Sequence, residues 1–452
     1  METVETLILG AGLAGLSASY HIGHSNCLIL EKNTYPFGHI HSEVRNGFTW
    51  DEGPHVSFTK HEYVRELFAE SVAGNFEEHE VCTSNYFKGS WIGHPAQSNL
   101  YQIPEPLRTQ CLDSFLASRS DLENASERED YQQWLYQAFG PVFAEAFPAA
   151  YTRKYWTLDP RKLTTEWVGS RVFRPAVADV LAGSKGPLER QTHYIKKIRY
   201  PSKGGYQAFA TKLEQGANVR LSTEVVSIDL DKKIVYTSDG EVIVYNRLIN
   251  TIPLPIFLRA IKDVPAFVTE ASDKLLCSSI LLVNVTAPHP TLRPENWMYV
   301  YDEDKYSTRI NCTELLSPNN APKGHTGVQV EVYHSREKPL LASKTHIAKS
   351  VVEELSEMGI IDVDLAGDRL DVHTKDVPWA NVVFHKQTAP ALDCIFEWLT
   401  NYGLKREQDD LHPLTDWDSV TPVEQSGLAL AGRFAQWKYY WTDDCLLRGK
   451  HL

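Results

Sequence analysis

A short apolar strand that runs straight into closely spaced glycines leaves a chain few folds to choose from. Val4-Glu5-Thr6-Leu7-Ile8-Leu9 has strand character and is followed at once by Gly10-Ala11-Gly12-Leu13-Ala14-Gly15, a helical stretch from Leu13 to about Ile22, and a second apolar strand, Cys27-Leu28-Ile29-Leu30, ending in Glu31. Strand, glycine turn, helix, strand and acid in that order open a β-α-β unit that binds a dinucleotide. Gly10 permits the tight turn, Gly12 keeps side-chain bulk away from a pyrophosphate, and Gly15 lets helix and strand pack closely. The free N–H groups and partial positive charge at the helix start, around Leu13 and Ala14, attract a diphosphate. Glu31 is placed to accept hydrogen bonds from a ribose diol.

The remaining composition narrows the class further. A chain of 452 residues allows two to four domains and needs no covalent staples. Seven scattered cysteines without a Cys-x-x-Cys pair argue against a disulfide framework or a cysteine-built metal site, and a reducing cytoplasm is the expected location. With 45 Lys+Arg against 58 Asp+Glu, the net charge of -13 argues against non-specific binding to nucleic acid or an anionic membrane. No apolar run approaches the ~18–20 residues that span a bilayer. The histidines His21, His24, His39 and His41 are numerous, but no carboxylate spacing completes a site, so no metal is expected.

Further along, Tyr200-Pro201-Ser202-Lys203-Gly204-Gly205-Tyr206 leads into a helix, and Val219 to Ile228 alternates like one strand. Ser238-Asp239-Gly240 closes a hairpin onto Val242-Ile243-Val244-Tyr245, and Leu248 to Leu254 returns the chain to the first sheet. Leu428-Ala429-Leu430-Ala431-Gly432-Arg433-Phe434 is a strand ending in Gly-Arg, and Thr442-Asp443-Asp444 starts a last helix that their side chains can cap. Residues from about 60 to 200 have helical periodicity, and those from about 266 to 390 contain strand-like runs such as Ser279 to Val285 and Gly327 to Tyr333. The expected fold is α/β: a Rossmann-like cofactor domain split in sequence (1–60, 203–265 and 400–452), an inserted helical lobe (61–202) and an antiparallel-sheet substrate lobe (266–399), with substrate between the lobes.

The segments after Glu31, Lys32 to Gly38-His39 and then Phe48-Thr49-Trp50-Asp51-Glu52-Gly53-Pro54-His55, resemble the large family of FAD-dependent flavoenzymes that includes amine oxidases, protoporphyrinogen oxidases and UDP-galactopyranose mutases. The resemblance implies FAD, and no second G-x-G-x-x-G is present to build a separate NAD(P)H domain, although external NAD(P)H could serve as reductant. By that resemblance the cofactor is held by Gly10, Gly12, Leu13, Ala14, Gly15, Glu31, Lys32, Gly38, His39, Gly53, Pro54, His55, Val225, Thr251, Gly432, Arg433, Tyr439, Asp443 and Asp444.

Three segments are similar to the mutase branch. Thr165-Glu166-Trp167-Val168-Gly169-Ser170-Arg171-Val172 and Ser307-Thr308-Arg309-Ile310 resemble the segments whose arginines clamp a substrate diphosphate, and Trp91 to Asn99 resembles a loop that reads uracil, with His94 in place of an aromatic residue and Gln97 at the base-reading position. The resemblance implies a UDP-sugar as substrate and a role in polysaccharide biosynthesis, with reduced flavin N5 attacking the anomeric carbon and no net redox change. Arg171, Arg309, Tyr439 and His55 would form the catalytic set, and His94, Gln97, Arg171, Arg309 and Tyr439 the substrate contacts. Asn381 falls where a second diphosphate-binding tyrosine is expected. Gly53-Pro54-His55 also suits the alternative, an FAD-dependent oxidoreductase of the amine oxidase or protoporphyrinogen oxidase type. Taken singly, Arg171 and Arg309 also read as surface ion-pair residues, and His55 as a hydrogen-bonded loop histidine. Oligomeric state is left open.

Overall fold

In the computed structural model of the protein the described residues are 2–120, 130–168, 172, 174–188, 195–407, 417 and 426–452. The apolar residues ahead of the glycines end the strand Glu2–Leu9, whose last four residues are buried. This strand lies between Val242–Asn250 and Cys27–Leu30, parallel to both. Leu428–Leu430 adds in parallel to the outer side of Val242–Asn250, and Val219–Arg220 to that of Cys27–Leu30. Strands covered on both faces need apolar side chains on both, which is why these segments read as unbroken apolar runs.

Two edges depart from the sequence reading. The stretch 219–228 is two strands: Val219–Arg220 joins the parallel part, whereas Val225–Asp229 pairs antiparallel with Ile234–Thr237. The break falls at Ser222, whose φ of 54° ends any extended run. Ser222 N and Thr223 N donate to the carbonyls of Asn33 and Glu31, and this carries the chain across the tip of Cys27–Leu30 and leaves Val225 beside it.

A second sheet is built in the order Asp371–Val383, Leu276–Ala287, Thr326–His334, Arg309–Cys312, Trp297–Val300, Thr83–Phe87 and Ser90–Gly93, antiparallel except where Trp297–Val300 meets Thr83–Phe87. Its last two strands come from the stretch expected to be helical. They form a hairpin closed by Lys88 and Gly89, both at positive φ (46° and 79°), a tight turn whose twist matches that of paired strands. Helical structure does fill Leu107–Ser120, Tyr131–Phe139 and Ala150–Tyr155, around a core rich in Phe and Trp.

The two ends of the chain pack together. Helix Leu13–Ile22 lies against Thr442–Lys450, with Ser17 Oγ donating to Leu446 O at 2.6 Å. A Cβ on Gly449 would sit 2.6 Å from Ser17 Cβ and 2.7 Å from Ala14 O, so only glycine allows this approach. Among the described residues no helix is long and apolar enough to cross a membrane.

Candidate functional site

A cavity of about 860 Å³ runs from the glycine turn to the face of the second sheet, at the large end of the range for ligand pockets. Its floor is the start of helix Leu13–Ile22. Gly12 is the N-cap, no side chain caps the helix and no acid occupies its first turn, so its leading N–H groups remain for an anion. A Cβ on Gly12 would meet only Gly38 Cα, at 3.9 Å, and would project into the space a diphosphate needs; one on Gly15 would lie 2.1 Å from Gly10 O. Gly12 is therefore a ligand glycine, while Gly15, which does not line the cavity, is a packing glycine.

Glu31 is buried at the mouth of this cradle, accepting from Ala11 N and Asn33 N at 2.9 Å each. A carboxylate has further lone pairs, so it still suits a ribose diol. Lys32, Gly38, His39, Pro54, His55, Val225, Thr251, Gly432, Arg433, Tyr439 and Asp443 also line the cavity, as do Gly10, Leu13 and Ala14. Gly432, at φ 99°, brings the last strand so close that a Cβ there would lie 3.1 Å from Ala14 Cβ. Glycine cradle, uncapped helix end and buried acid together fit the pyrophosphate and ribose of FAD.

Two other expected cofactor residues face away. Asp444 accepts from Trp441 N at 2.8 Å and Trp417 Nε1 at 2.5 Å, a buried brace for the last helix. Gly53, at φ 88°, backs onto Glu331, whose Oε1 would be 2.7 Å from a Cβ. His39 Nδ1 lies 3.0 Å from Glu52, which also pairs with Lys375 at 2.8 Å. Burial raises the Glu52 carboxyl, but these two partners outweigh it and hold it at about 2.

Beyond the cradle the wall becomes aromatic and polar. Arg309 reaches the cavity from Arg309–Cys312, but it is not a bare cation. Nε and Nη2 donate to the two Glu331 oxygens at 2.6 and 2.7 Å, a bidentate pair between residues directly opposite on adjacent strands. Glu331 is 1% exposed and accepts also from Tyr333 Oη at 3.1 Å. Arg433 instead donates to neutral oxygens, Tyr440 O at 2.7 Å and Ala380 O at 3.1 Å. His55 Nδ1 lies 3.0 Å from Gly53 O; burial, with Arg433 and Arg309 nearby, lowers its imidazole to about 4, so it is neutral at pH 7.

Tyr439 is held edge-on by Trp167 (centroids 6.0 Å) and against Trp156 (5.2 Å), and its hydroxyl lies 3.2 Å from that of Tyr155. Asn381 Oδ1 is 3.3 Å from the Tyr155 hydroxyl. His94 packs 4.9 Å from Tyr299, the strand partner of Arg309, and Gln97 lines the same cavity. Asn85 Nδ2 donates to Ile92 O and Gly93 O, so its Oδ1 accepts from His94 Nδ1 at 2.9 Å and fixes the proton on that ring nitrogen. Arg171 lies outside the described residues, although its neighbours Trp167 and Val172 line the cavity.

Sequence reasoning missed Glu331, Tyr333, Tyr151, Tyr155 and Lys154. The strand Gly327 to Tyr333 carried a readable signal: Gln329, Glu331 and Tyr333 alternate with Val328, Val330 and Val332, and a strand buried on both faces with one of them polar must face a site. Lys154, 3% exposed, donates to Asp302 O at 2.6 Å and Ser307 O at 2.7 Å, tying the tyrosine helix to the loop that delivers Arg309. Among the described residues no group of three or more His, Cys, Asp or Glu side chains could hold a metal ion.

Residues 13–451 match the sequence model of the flavin containing amine oxidoreductases. The fold is similar to that of a reduced UDP-galactopyranose mutase (TM-score 0.85, 23% identity, covering 100% of this chain and 93% of that one). It is also similar to a putative protoporphyrinogen oxidase from Exiguobacterium (TM-score 0.71, 16% identity, 100% and 98% covered). A putrescine oxidase redesigned in its cofactor binding shares it at TM-score 0.61 and 13% identity, with 99% and 97% covered.

Proposed function

The chain belongs to the flavin containing amine oxidoreductase family as an FAD-dependent enzyme, and from that premise we propose that it acts on a nucleoside diphosphate sugar, as a UDP-galactopyranose mutase-like isomerase. One observation carries the reading: besides the glycine cradle the cavity is lined by Arg433, the Arg309–Glu331 pair, a set of tyrosine hydroxyls, and His94, Tyr299 and Gln97. Such a lining suits a sugar, a diphosphate and a base. Glu331 neutralises Arg309, whereas the hydrogen-bond partners recorded for Arg433 are neutral oxygens, so this stretch favours an anion.

FAD, when bound and reduced, would supply a nucleophilic flavin nitrogen, with Gly12 and the start of helix Leu13–Ile22 holding its pyrophosphate. The protein's own groups do the rest. Tyr439 and Arg433 meet the diphosphate oxygens, whose negative charge grows as the bond to the sugar weakens, and preorganised donors there lower the barrier. Glu331 sets the plane of the Arg309 guanidinium, so its position is established before any ligand arrives. Trp156, Trp167 and Tyr155 wall the site against water. His55, neutral and with its Nδ1 proton given to Gly53 O, can accept one hydrogen bond at Nε2 without adding charge. The test is titration of the FAD-loaded protein with UDP, followed by fluorescence quenching. Saturable binding is expected, and no binding at millimolar UDP would remove the reading.

A further inference from the structure

Three distant pieces of the chain meet at one hydroxyl pair. Tyr155 comes from helix Ala150–Tyr155, Asn381 from strand Asp371–Val383, and Arg433 and Tyr439 from the segment after Leu428–Leu430. Directionality follows from donor counting. The amide oxygen of Asn381 can only accept, and it lies 3.3 Å from the Tyr155 hydroxyl, so Tyr155 gives its single proton there. The Tyr155 oxygen is then left to accept, at 3.2 Å, from Tyr439. Arg433 Nη1 reaches the same Asn381 oxygen at 3.4 Å.

From this geometry we infer that Tyr155 is a positioning residue for anion binding, acting through Tyr439, with Asn381 holding the Tyr155 proton until a diphosphate arrives. Without ligand, both phenol protons are held along a chain that runs Tyr439 to Tyr155 to Asn381. A diphosphate oxygen beside Tyr439 draws that proton toward itself, and Tyr155 turns its own in the same direction. Asn381, 3% exposed, does not lose its last donor when this happens, because Arg433 remains. The switch moves two hydroxyl protons and no side chain, so its reorganisation cost is small.

The ring of Tyr155 has separate duties: it stacks on Tyr151 (centroids 5.5 Å) and packs on Tyr333 (4.7 Å). Phenylalanine keeps both contacts and removes only the hydroxyl. This inference rests on the nucleoside-diphosphate reading, and the experiment separates the two. FAD-loaded wild type, Tyr155→Phe, Tyr439→Phe and the double variant are titrated with UDP, with the flavin spectrum and thermal midpoint as controls for folding. Each single variant is expected to weaken UDP roughly tenfold, the scale of a hydrogen bond to a charged group. The double variant should be little worse than Tyr439→Phe, because the pair acts as one unit.

Wild-type binding left unchanged by Tyr155→Phe, or losses that multiply in the double variant, overturn the inference and leave the nucleotide reading standing. Wild type that ignores millimolar UDP overturns both. Should Tyr155→Phe fail to retain FAD, Asn381→Asp carries the same question. A carboxylate there holds the Tyr155 proton fast and should weaken UDP at least tenfold, and unaltered affinity would refute the relay.

Discussion

Replacing Arg309 by methionine tests the central polar pair. The substitution keeps an apolar stem but leaves Glu331, 1% exposed, with a single recorded partner, the Tyr333 hydroxyl at 3.1 Å. Removing one member of a buried ion pair costs about 3–5 kcal/mol, most of it the penalty of a stranded charge. An unfolding entropy of roughly 2 cal/mol/K per residue amounts to roughly 1 kcal/mol/K over 452 residues, so the thermal midpoint should fall by about 3–5 °C. Adding Glu331→Leu removes the stranded charge and should restore most of the loss, since well-packed apolar replacements of both partners are often neutral. The assay is differential scanning calorimetry on the four proteins of the cycle. A single variant melting with wild type, or a double variant that loses the sum of both singles, would show that the two side chains do not form a buried pair. UDP affinity, measured in parallel, should stay reduced in the double variant, because stability returns but the guanidinium does not.

Two further outcomes separate packing from binding and fix a protonation state. Gly12→Val should leave the apoprotein's thermal midpoint nearly unchanged while abolishing FAD uptake, whereas Gly15→Ala should destabilise the fold itself by roughly 1–3 kcal/mol through its clash with Gly10 O; equal effects on both properties in both variants would contradict the assigned roles. For His55, with a folded value of about 4 against 6.5 unfolded, the unfolded chain takes up its proton first, so this contribution is complete above pH 6.5 and is lost as pH falls toward 4. The unfolding free-energy difference between apo wild type and His55→Gln should shift against wild type over that interval by up to roughly 3 kcal/mol, and a pH-independent difference would mean that the imidazole is not held neutral.

How far the sequence could be read depended on whether a residue's role was set by its neighbours in the chain. Gly10, Gly12, Gly15 and Glu31 were legible because a turn, a helix start and a strand tip are local, and each residue type has a steric or electrostatic reason to be there. The hairpin at Lys88-Gly89 was missed because lysine is not a usual left-handed residue, and the break at Ser222 because serine does not announce a positive φ. Arg309 was legible as a functional arginine through family resemblance, yet not as half of an ion pair. Its partner is set by the register of two strands, which no local pattern encodes.

By itself, then, the order of residues determined that this chain carries a dinucleotide cradle at its amino end, an apolar parallel sheet, and a second region of strands beyond it. Those features follow from short-range sterics and from the periodicity with which apolar side chains must be hidden. Only the tertiary structure decided that Glu331 would neutralise Arg309 while Arg433, among the described residues, would donate to neutral oxygens, and that hydroxyls from a helix and a late loop would meet. Charge balance and hydroxyl pairing depend on distances of about 3 Å between side chains 22 positions apart in the Arg309–Glu331 pair and 284 apart in the Tyr155–Tyr439 pair, and such distances exist only once the sheets have paired and the two ends of the chain have closed on each other.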